Sequence, residues 1–143
     1  MKWFSFILVF LISNSIFAQE KGLCINPLFE QTVDSYLEYS VPTISVSSLA
    51  EHQDDYVILD ARELEEYRVS HIPNAMHIGY DRFEIKSLKD IKKDQAIVVY
   101  CSIGYRSEKI GEKLIDAGYQ KVYNLYGSIF EWANRSFPLV IWN

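Results

Sequence analysis

Two continuous apolar runs, Tyr56-Val57-Ile58-Leu59 and Ala96-Ile97-Val98-Val99-Tyr100, constrain the fold of this chain more than any other feature. A strand with one wetted face alternates apolar and polar residues, whereas unbroken runs of this length fit strands covered on both faces. The first ends at Asp60 and the second at Cys101. Weaker strand signals lie at Ile44-Ser45-Val46, from Ala75 to Ile78 and from Val122 to Leu125. Between them the composition turns helical. Ser47 or Ser48 is placed to cap a short helix through Glu51, Glu63 to Val69 forms another, and Asp81 to Lys93 holds a helix or turns. Ser107 to Ala117 reads as a helix with Ile110, Leu114 and Ile115 inward and Gly118 just past its end, and Ser128 to Asn134 as a last helix before Pro138. Trp132, Tyr123 and Phe130 read as core. Strands alternating with helices predict an α/β fold with a central parallel sheet flanked by helices.

At 143 residues the chain has room for one domain with a proper core. Its 49% hydrophobic content excludes a disordered chain. The net charge of −5 is spread along the sequence, and the absence of a basic cluster excludes a nucleic-acid surface. Residues 1–18, MKWFSFILVFLISNSIFA, have a different character. Lys2 precedes an apolar run from Trp3 to Ile12, then a polar break and a small residue, Ala18. That is the pattern of a secretory signal cleaved after Ala18. The alternative is an uncleaved N-terminal anchor, for which the run is shorter than the roughly 20 apolar residues of a spanning helix. Residues 19–42 then form an N-terminal helical extension in which Leu28, Phe29, Val33, Tyr36 and Leu37 recur at helical spacing, as a cover for the core. Residues 43–143 make the main domain, exported to the periplasm or secreted, with no stable membrane insertion after cleavage.

The stretch Cys101-Ser102-Ile103-Gly104-Tyr105-Arg106 carries the chemistry. In open parallel sheets ligands sit beyond the carboxyl ends of the strands, where Cys101 falls. A tight loop running straight into a helix gathers backbone N–H groups into a nest for negative charge, and the helix N-terminus adds to it. Gly104 permits turn geometry that other residues resist, and Arg106 supplies a cation. Such surroundings favour a thiolate over a thiol, making Cys101 a candidate nucleophile with a ready site for an anion. Arg62, at the end of the other central strand, either faces the same pocket or forms an ion pair with Asp60 or Glu63. His71 reads as a hydrogen-bonded turn residue. His52 and His77 lack metal-ligand spacing, and neither a metal nor a cofactor is expected. Cys24 is a candidate for a disulfide with Cys101 as an off-state, or for lipid attachment, although Lys21-Gly22-Leu23 is a poor context for the latter.

The stretch Tyr100-Cys101-Ser102-Ile103-Gly104-Tyr105-Arg106-Ser107 resembles the active-site loop of the rhodanese-like sulfurtransferases. Other segments agree in order. Leu59-Asp60-Ala61-Arg62-Glu63, Glu65-Glu66-Tyr67 and Ser70-His71-Ile72-Pro73-Asn74-Ala75 are similar to the family's D-x-R-E, E-Y and G-H-I-P-G-A segments. Ala117-Gly118-Tyr119, then Val122 through Ile129 with Trp132 and Pro138, resembles its ending. Ser70, Asn74 and Ser128 stand where the family has glycine, away from the cysteine loop. The resemblance implies that Cys101 accepts a sulfane sulfur as a persulfide. The backbone amides of Ser102, Ile103, Gly104, Tyr105 and Arg106 would cradle it, and Arg106 would draw in a small anionic donor such as thiosulfate. A thiol or cyanide-like acceptor would then take the sulfur. Phosphatases related in fold separate cysteine and arginine by five residues. Here four intervene, which favours sulfur over phosphate. A redox or sulfide-sensing module without turnover is the other reading.

Overall fold

The computed structural model describes residues 24–141. In it five parallel strands form one sheet, in the order β1 (Thr43–Ile44), β6 (Lys121–Leu125), β5 (Ala96–Tyr100), β2 (Val57–Asp60), β4 (Met76–His77). The two apolar runs are the middle of that sheet, paired from Val57 with Ile97 to Asp60 with Tyr100. The period of two sends their side chains to opposite faces. Ile58, Val98 and Tyr100 face one core cluster, which α2 (Val46–Glu51) and α5 (Ser128–Asn134) close with Leu49, Ile129 and Trp132. Leu59, Ile97 and Val99 face the other, closed by Ile110 and Leu114 of α4 (Tyr105–Asp116). The short helix α3 (Leu64–Val69) runs into β3 (Ser70–His71), which pairs antiparallel with β7 (Val140–Ile141) in a separate two-stranded sheet.

Several boundaries differ from the sequence expectation, each for a local reason. The first strand stops at Ile44, because the Ser45 hydroxyl, rather than that of Ser47 or Ser48, caps α2 by accepting from the Ser48 N–H at 3.1 Å. The segment from Asp81 to Lys93, expected as a helix or turns, holds turns around a short 3-10 helix at Ile85–Leu88 and so fits that expectation. Helix α4 begins at Tyr105 rather than Ser107, since Gly104 at φ +127° turns the chain into the helix at once. Ile115 and Phe130 are surface residues, 41% and 51% exposed, rather than core. Ile115 follows buried Leu114, and one position along a helix is a rotation of about 100°.

The extension contains helix α1 (Pro27–Tyr36), begun by Asn26, whose side-chain oxygen accepts from the Leu28 and Phe29 N–H groups. Val33, and Leu37 just past the helix, are buried with Tyr126, whereas Leu28 and Tyr36 face outward. Further on, Val41 packs so closely on α4 that a Cβ at Gly111 would sit 2.9 Å from it. Residues 1–18, with the signal expected there, lie outside the described residues. Among the described residues no helix is long and apolar enough to cross a membrane.

Burial separates Leu114 from its neighbour sharply. Leu114→Ala is expected to cost about 2–5 kcal/mol of unfolding free energy, and Ile115→Ala to stay within about 0.5 kcal/mol, both read from urea denaturation. Comparable losses would contradict the placement of Ile115 at the surface.

Candidate active site

Strand β5 delivers Cys101 to the carboxyl edge of the sheet, where it is 1% exposed. Its backbone is held from the next βα turn. The Cys101 N–H donates to the Ser128 hydroxyl at 3.1 Å, and its carbonyl accepts from the Ile129 N–H at 3.2 Å. The Phe130 N–H donates likewise to the Ser102 carbonyl. The loop therefore sits between the starts of two helices, α4 and α5.

Within the loop, the Gly104 N–H donates to Cys101 Sγ at 3.2 Å. Gly104 itself sits at φ +127°, a region that L side chains rarely adopt, and so turns the chain from the loop into α4. The Gly104 carbonyl accepts from Asn124 Nδ2 at 3.0 Å, which leaves Asn124 Oδ1 as the acceptor for Ser107 Oγ at 2.6 Å. Ser107 Oγ in turn lies 3.5 Å from Cys101 Sγ. Among the described residues no acceptor takes the N–H groups of Ser102, Ile103, Tyr105 or Arg106. Those of Tyr105 and Arg106 are the unclaimed donors that the start of a helix leaves behind, and those of Ser102 and Ile103 belong to the loop before it. Ile103 is half-buried, and Tyr105 is the exposed residue of the loop, its ring meeting that of Tyr36 edge-on at 6.5 Å.

Arg106 is bound at both ends of its fork by Glu66, Nη1 to Oε2 at 2.8 Å and Nη2 to Oε1 at 2.9 Å, and Nη2 also donates to Ser102 Oγ at 2.8 Å. These bonds raise the pKa of the guanidinium against the opposing effect of burial, and the Cys101 and Glu66 charges add to them. The same pair holds the Glu66 carboxyl down at about 2. Glu66 is fixed from its own side too, accepting from the Glu63 N–H at 2.9 Å in the capping box that starts α3.

Arg62 makes no hydrogen bond to this cluster, although its charge helps to lower the Glu66 pKa. It is 5% exposed, donates from Nε and Nη2 to the Asp60 carboxylate and from Nη2 to the Ser70 carbonyl, and lies over the Tyr100 ring. Burial opposes its charge, and Asp60 more than offsets that. The structure shows the ion pair with Asp60 that was one of the expectations for Arg62. His71, expected in a turn, lies at the end of β3, hydrogen-bonded to the Tyr67 carbonyl and stacked on the Tyr67 ring. Cys24 and Cys101 are both free thiols. Cys24 is packed near Gly127, and burial, with Glu131 and Glu30 nearby, pushes its thiol up to about 12.

Sequence reasoning did not single out Glu66, Ser107, Asn124 or Ser128 as parts of the site. Asn124 was readable, as a polar residue inside the apolar strand Val122-Tyr123-Asn124-Leu125. Ser128 corrects an expectation. It stands where the resembling family has glycine, at φ +48°, and its hydroxyl reaches the loop after all.

The model of the rhodanese-like domain matches residues 45–135. The chain belongs to the rhodanese-like domain family. The thiosulfate sulfurtransferase GlpE of Coxiella burnetii is 33% identical over 78 residues, covering 54% of this chain and 72% of that protein. The tRNA uridine(34) hydroxylase of Cronobacter sakazakii is 37% identical over 87 residues, covering 57% of this chain. This rhodanese-like chain spans only 25% of the hydroxylase's length. Among solved structures, the rhodanese-like domain of an Anabaena protein superposes with a TM-score of 0.64 at 22% identity, covering 69% of this chain and 78% of that one, a likeness of fold.

Two outcomes test the site's framework. Ser128→Ala keeps the left-handed backbone but strips the acceptor from a buried N–H, and is expected to lower unfolding free energy by about 1–3 kcal/mol in urea. No loss would mean that the hydroxyl holds nothing. Because the Glu66 pKa is lower in the folded state, its pair with Arg106 adds stability above the ordinary 4.5, and that stability drains as pH falls toward 2. The stability gap between wild type and Glu66→Gln should be full at pH 7 and close over that acid window. A constant gap would contradict the pairing.

Proposed function

We propose that this protein is a sulfurtransferase that carries sulfane sulfur as a persulfide on Cys101. The supporting observation is the Gly104 N–H held on Cys101 Sγ at 3.2 Å, beside four loop N–H groups that no described residue claims. With thiosulfate as donor, the Cys101 thiolate attacks the outer sulfur. A new S–S bond forms to Cys101 as the bond to the sulfonate sulfur breaks, and sulfite leaves with that electron pair. The persulfide's terminal sulfur is then the negative atom, and preorganised donors stabilise charge where it develops. An acceptor attacks that outer sulfur in the second step. Cyanide leaves as thiocyanate or a thiol as its persulfide, and the Cys101 thiolate is restored. Arg106 draws the anionic donor, while Glu66 keeps its fork in place. Arg62, whose Nε and Nη2 serve Asp60 and Ser70, is given no step in this reaction.

The name of the Coxiella relative supports sulfur transfer as the class of reaction, and the four-residue spacing from Cys101 to Arg106 fits a cradle for one sulfur atom better than one for phosphate. Export is part of the proposal and rests on residues 1–18, so the protein recovered after export should begin at Gln19.

Intact mass after incubation with thiosulfate is the deciding experiment. The expected result is a gain of one sulfur atom, removed by cyanide and absent in Cys101→Ala. No adduct with any sulfane donor would overturn the proposal, and an adduct that never turns over would favour a sensing module. Arg106→Ala should slow loading by at least about tenfold while the protein stays folded. An unchanged rate would assign donor capture to the backbone amides alone.

A further inference from the structure

The segment from Cys24 to Ser40 precedes the 45–135 family match, yet it is fastened to both helices that flank the cysteine loop. Glu108, in the first turn of α4 and fully buried, accepts from the backbone N–H groups of Glu38 at 2.9 Å and Ser40 at 3.0 Å. Glu131, in α5 and 1% exposed, accepts from the Ile25 N–H at 2.9 Å. Between these pins Asp34 accepts from the Tyr126 hydroxyl at 2.6 Å and from that of Tyr39. A segment that only covered the core would need apolar contact and nothing more. Buried carboxylates are costly unless fully bonded, and bonded they fix one geometry.

What that geometry fixes is Leu37. It is 8% exposed, and its Cδ2 lies so near Gly104 that a Cβ added there would sit 3.2 Å away. Glycine reaches a positive φ without steric cost, and for the same reason leaves it without cost. The Gly104 carbonyl accepts from Asn124 Nδ2 and from the Glu108 N–H, and on the side where a Cβ would stand the nearest group is Leu37, ahead of Asn124 Nδ2 and the Leu125 carbonyl.

We infer that Leu37, pinned through Glu108, is a positioning residue of the Cys101 site: it holds the turn at Gly104, so that the Gly104 N–H stays on the sulfur as the chain enters α4. The effect on rate rests on the sulfur-transfer reading above, whereas the effect on the loop does not.

Two measurements on the full chain test it, amide hydrogen exchange by mass spectrometry and the saturating rate of persulfide loading from thiosulfate. Three variants are compared. Leu37→Ala removes the contact, and Leu37→Met restores volume with a flexible chain. Leu88→Ala is a control for general destabilisation, since Leu88 is 1% exposed in the cluster beneath α4. In Leu37→Ala, exchange of the Gly104 amide, resolved by fragmentation of the peptide that carries the loop, should rise by about tenfold, and loading should slow by about tenfold with the half-saturating donor concentration unchanged. Leu37→Met should recover both, and Leu88→Ala should leave both near wild type. Unchanged loop exchange in Leu37→Ala would overturn the inference, as would faster exchange with wild-type loading. Slower loading in Leu88→Ala to the same degree would also overturn it, by making the effect one of stability. If the wild-type protein takes sulfur from no donor, the proposed function fails, and loop exchange alone then decides whether Leu37 holds Gly104.

Discussion

At Gly104 the backbone leaves strand β5's loop at φ +127° and enters α4 at the next residue, and the rest of the site depends on that turn. Only with this geometry does one N–H reach the Cys101 sulfur while the following amides stay unclaimed at a helix start. A longer loop would widen the cradle, and a residue with a side chain here would be strained while its Cβ met Leu37. The sheet's contribution is to bring Cys101 to this point on its most buried strand, with Tyr100 paired to Asp60 on one side and Val99 to Asn124 on the other.

Acidic residues do most of the work of holding that turn in place. Glu66 fixes the guanidinium of Arg106, Glu108 anchors the backbone at Glu38 and Ser40, and Glu131 anchors Ile25. Two of the three are almost completely buried, and each accepts backbone N–H groups rather than floating as a charge. In a chain of net charge −5, these carboxylates act as structural acceptors and leave the Gly104 N–H as the backbone donor on the sulfur, with the other loop amides unclaimed among the described residues. The arrangement suits a site that must hold an anion without a surplus of cations.

Much of the fold was legible because burial on both faces leaves unbroken apolar runs: β5 and α5 fall on the residues expected. Cys101, Gly104 and Arg106 were legible because strand end, glycine and helix start coincide in sequence. What was hidden came from distant segments. Glu66 is forty residues from Arg106, and Ser128 twenty-seven from Cys101, so no local spacing announced either contact. The N-terminal helix was visible by its periodicity, but its purpose was not. Leu37 looks like any core residue until the backbone shows that it touches the active-site glycine. Phe130 and Ile115 failed as core residues because apolar character does not say which side of a short helix meets the sheet.

The central claim is that sulfur on Cys101 is received by the backbone amides of residues 102–106. It is tested most directly by following backbone amide NMR signals of the protein as sulfane sulfur is added. The account predicts a new, slowly exchanging set of signals for these amides, Gly104 most displaced, and none in Cys101→Ser. Sulfur bound with those signals unmoved, or with the largest displacements far from the loop, would contradict it.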